Sequence, residues 1–249
     1  MKFFYQKTYL SDYLTLSPGS IIMDVGAHIG LFPLFALRQC KHNALIYSFE
    51  PIPQCLKKYL TPFEEECHLY NVGVADVAKD CLIEFTVFRK DLTTATYKPQ
   101  DKMISNYNHL LDYDNLLKIA RYQNNLLYYQ MKFLPFMRPY LIKKNFKNRT
   151  METKILCKLI SLGHFIERNA INHIDFLKIN VEGTEFEVVK SIELKQFFMI
   201  KQLSTKVHDI DNRVEYLAAY LREQGYLTRI NRNPIYEKLG WNQYMIRAV

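Results

Sequence analysis

Apolar residues along this chain fall into two rhythms, short alternating runs and longer stretches at helical spacing. Residues 20–24, Ser-Ile-Ile-Met-Asp, form a brief apolar strand, and a glycine-bearing turn leads into a helical run over 29–40. Ala44–Phe49 reads as a second strand, followed by Glu50-Pro51 and a helix from about 53 to 60. A third strand is expected near 68–72, and Cys81–Phe88 alternates in β-branched and aromatic residues. Past residue 150, the stretch 152–169 carries apolar residues at helical spacing. Then come a strand over 174–179, a helix over 182–192 with Phe186, Val189 and Ile192 on one face, and a strand over 203–207. A helix over 212–223 is stopped by Gly225. Strands at 226–230 and 244–248 have no obvious helix between them and pair antiparallel. Strands separated by 10–15-residue helices argue for βαβ units. The expected fold is α/β: a Rossmann-like, doubly wound, mostly parallel seven-stranded sheet with an antiparallel C-terminal strand.

Residues 97–150 fit neither rhythm. They are polar, aromatic and broken by Pro135 and Pro139, with helical spacing between 110 and 129. Too few continuous apolar faces occur there for a separate core, so 1–249 reads as one domain with a helical insertion acting as a lid.

Composition narrows the class. Hydrophobic residues at 49% and charged residues at 23% exclude a disordered or fibrous chain. The five cysteines form no C-x-x-C pair, and Cys40, Cys67 and Cys81 sit in apolar or strand-like runs that suit reduced core thiols. Residues 1–16 lack the uninterrupted apolar stretch of a signal peptide. The apolar runs 21–37 and 126–142 are interrupted by polar or charged residues and are not spanning helices. A cytoplasmic location is expected. The formal charge is +8; residues 97–150 hold ten Lys/Arg and three Asp, a net of +7, leaving +1 for the rest. That charge points to an acidic acceptor or carrier for the insertion to cover or recruit.

The chemistry concentrates where strands end. Asp24-Val-Gly-Ala-His-Ile-Gly30 joins the first strand to the first helix. Its G-x-x-x-G spacing is not the G-x-G-x-x-G of a pyrophosphate site. An acid at the strand end disfavours phosphate and favours an ammonium group. Twenty residues after Gly30, Glu50 ends the second strand, where a carboxylate can accept both hydroxyls of a ribose. A ribose, a cationic amino-acid end and no phosphate describe S-adenosylmethionine. Residues 177–183, Leu-Lys-Ile-Asn-Val-Glu-Gly, end the strand past the switch point of the sheet, which turns Asn180, Glu182 and Gly183 toward the transferred methyl or its acceptor. Glu182 could equally cap the next helix, and Lys178 could be a solvated strand residue.

These blocks, together with Ser48-Phe-Glu-Pro51, Asn71-Val-Gly-Val-Ala-Asp76 and residues 174–183, resemble the signatures of FkbM-type methyltransferases, class I enzymes that use S-adenosylmethionine and O-methylate natural products and sugars. The resemblance covers about 20–100 and 150–249. His208-Asp-Ile-Asp-Asn-Arg213 resembles the tail of members associated with polyketide and peptide synthases. By this likeness Asp24, Gly26, Ala27, His28 and Gly30 hold the methionine end, Glu50 and Pro51 the ribose side, and Asn71, Gly73 and Val74 the adenine side. Two positions depart from the family pattern: His28 stands where Asn is common, and Asn180 where Asp is usual.

Methyl transfer to a hydroxyl needs alignment and gains from a base. Among seven histidines, His208 is the first candidate, since it follows the 203–207 strand at its carboxyl end with Asp209 beside it. His28 is second, His173 lies at the wrong edge, and Lys178 would serve only if desolvated. Asp209 and Asp211 with Asn180 make an incomplete set of hard oxygen ligands, and no metal is expected. The catalytic set is therefore His208, Asn180, Glu182 and Lys178. Amine methylation of nucleic acid calls for an Asn/Asp-Pro-Pro-Tyr-like loop, and Asn180-Val-Glu-Gly183 argues against that partner. Two further alternatives are a weakly active cofactor-binding platform, motivated by Asn180, and an enzyme acting at an anionic membrane surface through 97–150 on a lipid-linked acceptor.

Overall fold

A computed structural model describes residues 9–11, 13–52, 60–88, 91–96, 117, 120–121, 125–141, 152–232, 237 and 242–249. In chain order the elements are β1 (Ser20–Val25), α1 (Leu31–Gln39), β2 (Ala44–Phe49), β3 (Cys67–Tyr70), β4 (Val72–Val74), β5 (Cys81–Phe88), β6 (Asp91–Thr96) and α2 (Asn125–Phe133). They continue as β7 (Glu152–Ile160), α3 (Leu162–Arg168), β8 (Phe176–Ile179), α4 (Glu185–Lys190), β9 (Leu203–His208), α5 (Arg213–Glu223), β10 (Thr228–Arg232) and β11 (Gln243–Ala248). Of the helix expected from about 53 to 60, residues 53–59 lie outside the described residues, and Leu60 is helical.

Seven strands form the main sheet in the order β10-β11-β9-β8-β1-β2-β3. The pairings from β3 to β9 are parallel, while β11 runs antiparallel to both β9 and β10. Strand order reverses between β1 and β8, so their carboxyl ends border a crevice. Alternation sorts the side chains. Met23, Val25, Leu177, Ile179, Leu203 and Val207 pack with residues of α3, α4 and α5. Ile22, Ile46 and Phe176 pack with Phe32, Phe35 and Leu37 of α1 and with Tyr9, Leu10 and Leu14 of the N-terminal segment. Helices thus cover one face, and α1 with the N-terminal segment covers the other.

A second sheet, in the order β4-β7-β5-β6, was not expected. It arises because residues 152–160 form a strand, not the start of a helix. Ile155, Cys157 and Leu159 turn inward with Phe85, while Lys154 and Lys158 turn outward and pair with Glu84 at 2.6 Å and Asp80 at 2.9 Å. Leu156 is apolar yet exposed, which makes a period of two look helical. The helix begins only after Ser161, whose hydroxyl accepts from the His164 amide at 3.4 Å. The expected strand at 68–72 likewise divides at Asn71 between the two sheets.

Helix α4 is shorter than the expected 182–192, since Glu182 (φ 57°) and Gly183 (φ 107°) leave the helical region. The described part of the insertion comprises α2, a 3₁₀ turn over Pro135–Met137 and further helical residues at 117, 120–121 and 138–141. Contrary to expectation it holds an apolar cluster of its own: Ala120, Met131 and Leu141, flanked by Leu117, Leu127, Tyr128 and Met137. Among the described residues no helix is long and apolar enough to cross a membrane.

Candidate active site

Asp24 and Lys178 are register partners on β1 and β8 and project to the same face. The Lys178 ammonium lies 2.7 Å from Asp24 Oδ1, with the two side chains 3% and 0% exposed. It also donates to the Gly26 carbonyl at 2.7 Å and lies over the rings of Tyr9 and Phe32. Asp24 meets an ammonium group as expected, but an internal one. Of the two alternatives for Lys178 the solvated one is excluded: the side chain is desolvated, with its ammonium engaged by Asp24 and the Gly26 carbonyl. The pair ties the strand end to the first residue of the glycine loop. Burial pushes the Asp24 carboxyl up, opposed by Lys178.

The glycine loop is shaped by close approach of protein. Gly26 (φ 79°) leaves room for the Asn180 carbonyl, which a Cβ would meet at 2.0 Å, and Gly30 (φ 81°) for the Leu60 side chain at 2.6 Å. Gly26 and buried Ala27 both donate to the Phe49 carbonyl. His28 takes a left-handed conformation, φ 52°, and its amide donates to Glu50 Oε2 at 2.9 Å. Glu50 Oε1 accepts from the Ile52 amide at 3.1 Å. Glu50 therefore joins the ends of β1 and β2. Burial lifts its carboxyl from 4.5 to about 7, against the two amide donors and Lys178. Each carboxylate oxygen retains acceptor capacity beyond its one amide. Beside it, Pro51 offers its carbonyl to the Cys157 thiol at 3.2 Å. The Asn180 amide donates to the Val25 carbonyl at 2.9 Å, and its buried Oδ1 has no hydrogen-bond partner among the described residues.

A second cluster sits at the ends of β8 and β9. His208 Nε2 lies 2.9 Å from Gln243 Nε2 and 3.6 Å from Glu182 Oε2, and its Nδ1 lies 3.6 Å from Glu185 Oε1. The Gln243 side-chain amide thus meets the imidazole at Nε2, while Glu185 faces it at Nδ1. Glu182 is not the cap of α4; it pairs with Lys206 at 2.9 Å. Buried Glu185 accepts from the Gly183 amide at 2.9 Å, and Arg213 donates to the Gly183 carbonyl at 2.9 Å. Asp209 serves elsewhere, its Oδ1 accepting from the Val214 amide in the first turn of α5. Among the described residues no group of His, Cys, Asp and Glu is arranged to hold a metal.

His208 and Glu182 are thus brought together, Asn180 stands at the glycine loop, and Lys178 lies beneath it. The residues expected on the adenine side divide. Asn71 is exposed, Val74 is in the core, and Gly73 leaves room for Leu159 at 2.6 Å and Phe85 at 3.0 Å in the second sheet. Sequence reasoning missed Glu185, Lys206 and Gln243. The spacing Glu182-Gly-Thr-Glu185 was the available signal, since a turn of this kind returns the second carboxylate toward the strand end. Gln243 reaches His208 only through the antiparallel register of β11 on β9, which nothing local reveals.

Residues 24–228 match the family described as the methyltransferase FkbM domain. The chain is 25% identical over 236 residues to the 31-O-demethyl-FK506 methyltransferase FkbM of Streptomyces tacrolimicus, covering 94% of this chain and 82% of that protein. It is 25% identical over 255 residues to the AMB antimetabolite synthetase AmbE of Pseudomonas aeruginosa, covering 99% of this chain but 11% of the synthetase. The crystal structure of a methyltransferase FkbM from Methylobacillus flagellatus superposes with a TM-score of 0.57 at 12% identity, over 99% of this chain and 50% of that one. At that identity the likeness speaks for the fold.

Proposed function

The chain belongs to the methyltransferase FkbM family, and on that premise we propose that it transfers a methyl group from S-adenosylmethionine to a hydroxyl of a small molecule, sugar or carrier-bound intermediate. The observation that carries this reading is Glu50, a buried carboxylate bonded to the amide of His28 at the mouth of the β1–β8 crevice. The residues present fit the cofactor. Glu50 keeps acceptor capacity for ribose hydroxyls, and the orphaned Asn180 Oδ1 is a buried acceptor for an ammonium group beside the loop over 26–28. Asp24 and Lys178 act as positioning residues, because they fix the Gly26 carbonyl and leave no exposed charge of their own.

Held by Glu50, Asn180 and the loop over 26–28, the cofactor would supply an electrophilic methyl on a sulfonium, with its thioether as the leaving group. His208 Nε2 takes the hydroxyl proton once Gln243 gives way to the acceptor. Glu185 steadies the resulting imidazolium through Nδ1, and Glu182, held by Lys206, adds negative charge on the other side. An acidic acceptor or carrier suits the basic insertion 97–150, which we assign to covering the acceptor within a single domain.

Incubation with methyl-labelled S-adenosylmethionine and a panel of hydroxyl compounds tests the reaction. Label should appear in an ether product with the native chain and fall by about 10²–10⁴ with His208→Gln, while S-adenosylhomocysteine still binds. Transfer to amines alone, or full activity in His208→Gln, contradicts the assignment.

A further inference from the structure

The insertion shows an apolar stripe that the methyl-transfer site does not use. Leu126, Tyr129 and Phe133 follow at intervals of three and four residues along α2, Phe136 lies in the turn after it and Tyr140 in the helical residues beyond that turn, and each is more than half exposed, Phe136 at 77%. The opposite stripe, with Met131 and Leu141, is buried in the insertion's own cluster. The segment therefore has two apolar faces, one packed and one turned to solvent. Tyr129 and Phe133 stack with ring centroids 6.2 Å apart, which fixes a flat aromatic edge. Lys132 is exposed beside it, its ammonium 5.5 Å from the Phe133 ring.

Charge says what such a face meets. From 115 to 151 the sequence holds eight Lys/Arg (118, 121, 132, 138, 143, 144, 147, 149) and no Asp or Glu. Removing those eight from 33 leaves 25 Lys/Arg against 25 Asp/Glu. The whole formal charge of the chain therefore resides in these 37 residues. Exposed rings together with an acid-free basic stretch satisfy both requirements of an anionic bilayer surface, apolar side chains that enter the headgroup boundary and cations that stay above it. The break at Leu134-Pro135 keeps the segment too short to span and suits a path along the surface.

We propose that residues 125–141 are a peripheral membrane-docking face for anionic lipid, with Tyr129, Phe133 and Phe136 as the inserting side chains. This docking is independent of the methyl-transfer reading.

Sedimentation of the full chain with vesicles tests it, using phosphatidylcholine alone or with about one third phosphatidylglycerol. The native chain should partition onto the anionic vesicles at least about tenfold more strongly than onto neutral ones, and that binding should weaken as salt rises from about 0.1 M to about 0.5 M. Phe133→Ser/Phe136→Ser should weaken it by about tenfold or more, while circular dichroism and S-adenosylhomocysteine binding match the native chain. Lys132→Glu, which leaves the rings in place, should weaken anionic binding by a few-fold. Absence of vesicle binding, equal binding to neutral vesicles, or unchanged binding of the double serine variant overturns the proposal. So does a native dimer that the serine variant converts to monomer without any vesicle binding, because the face would then join two copies of the chain.

Discussion

Lys178 and Asp24 are almost wholly removed from water, and a buried ion is tolerable only beside its counter-ion. Lys178→Met should therefore cost about 3–5 kcal/mol by stranding the Asp24 carboxylate, while Lys178→Met with Asp24→Leu should recover most of the loss. Urea unfolding of the two variants checks this; additive losses would contradict the pairing. Glu50 makes a different claim. Its carboxyl is raised from 4.5 to about 7 in the fold, so the folded chain keeps a proton that the unfolded chain releases across that window. Stability contributed by Glu50 is thus highest below pH 4.5, falls by about 3 kcal/mol as pH climbs through 7, and is flat above about pH 8. Glu50→Gln cannot titrate, and its stability relative to the native chain should rise between about pH 5 and pH 8 in urea melts. Parallel curves would contradict the raised carboxyl. Gly26 is a steric case: alanine there would combine a positive φ with a Cβ 2.0 Å from the Asn180 carbonyl. It should cost about 3 kcal/mol or more, read from the melting temperature.

Strand ends and the turns after them deliver Glu50, Asn180, Glu182 and His208, while Glu185 comes from the start of α4 and Gln243 from the start of β11. Central parallel strands are legible in the sequence because burial on both faces writes them as short apolar runs; Ala44–Phe49 begins and ends where the pattern says. Helix α5 is legible for a different reason, since Gly225 (φ 93°) supplies the stop. The strand β7 is not, because exposed Leu156 disturbs a pattern that Lys154 and Lys158 otherwise make alternate. Local spacing put His208 at a strand end, yet its neighbours come from β11 and the start of α4, and such long-range register leaves no mark in either segment. Asp209 is adjacent in sequence yet, as alternation along the chain allows, is no partner of His208: its Oδ1 accepts from the Val214 amide of α5. Glu185→Gln keeps the shape of the group that accepts from Gly183 and removes its charge. It should slow transfer by about tenfold or more while cofactor affinity holds. A rate equal to that of the native chain would remove Glu185 from the account.

At the scale of the molecule, charge and chemistry are segregated. The main sheet carries the crevice, a second sheet runs beside it through β4, and one acid-free stretch carries the basicity while the rest of the chain is balanced in charge. The order β10-β11-β9-β8-β1-β2-β3 places Glu50, Asn180 and His208 along one edge although they are 50, 180 and 208 residues into the chain. Order of this kind could be inferred from strand–helix alternation, whereas the internal claim of Lys178 on Asp24 could not, since one residue of each pair looks equally suited to solvent or ligand. Titration calorimetry with S-adenosylhomocysteine distinguishes a Glu50 that holds a nucleoside cofactor from one that only closes a structural turn. The native chain should bind, and Glu50→Ala should weaken binding by about 10–150-fold, the worth of hydrogen bonds to a charged group, without loss of fold by circular dichroism. No binding by the native chain, or equal affinity in folded Glu50→Ala, would contradict the account.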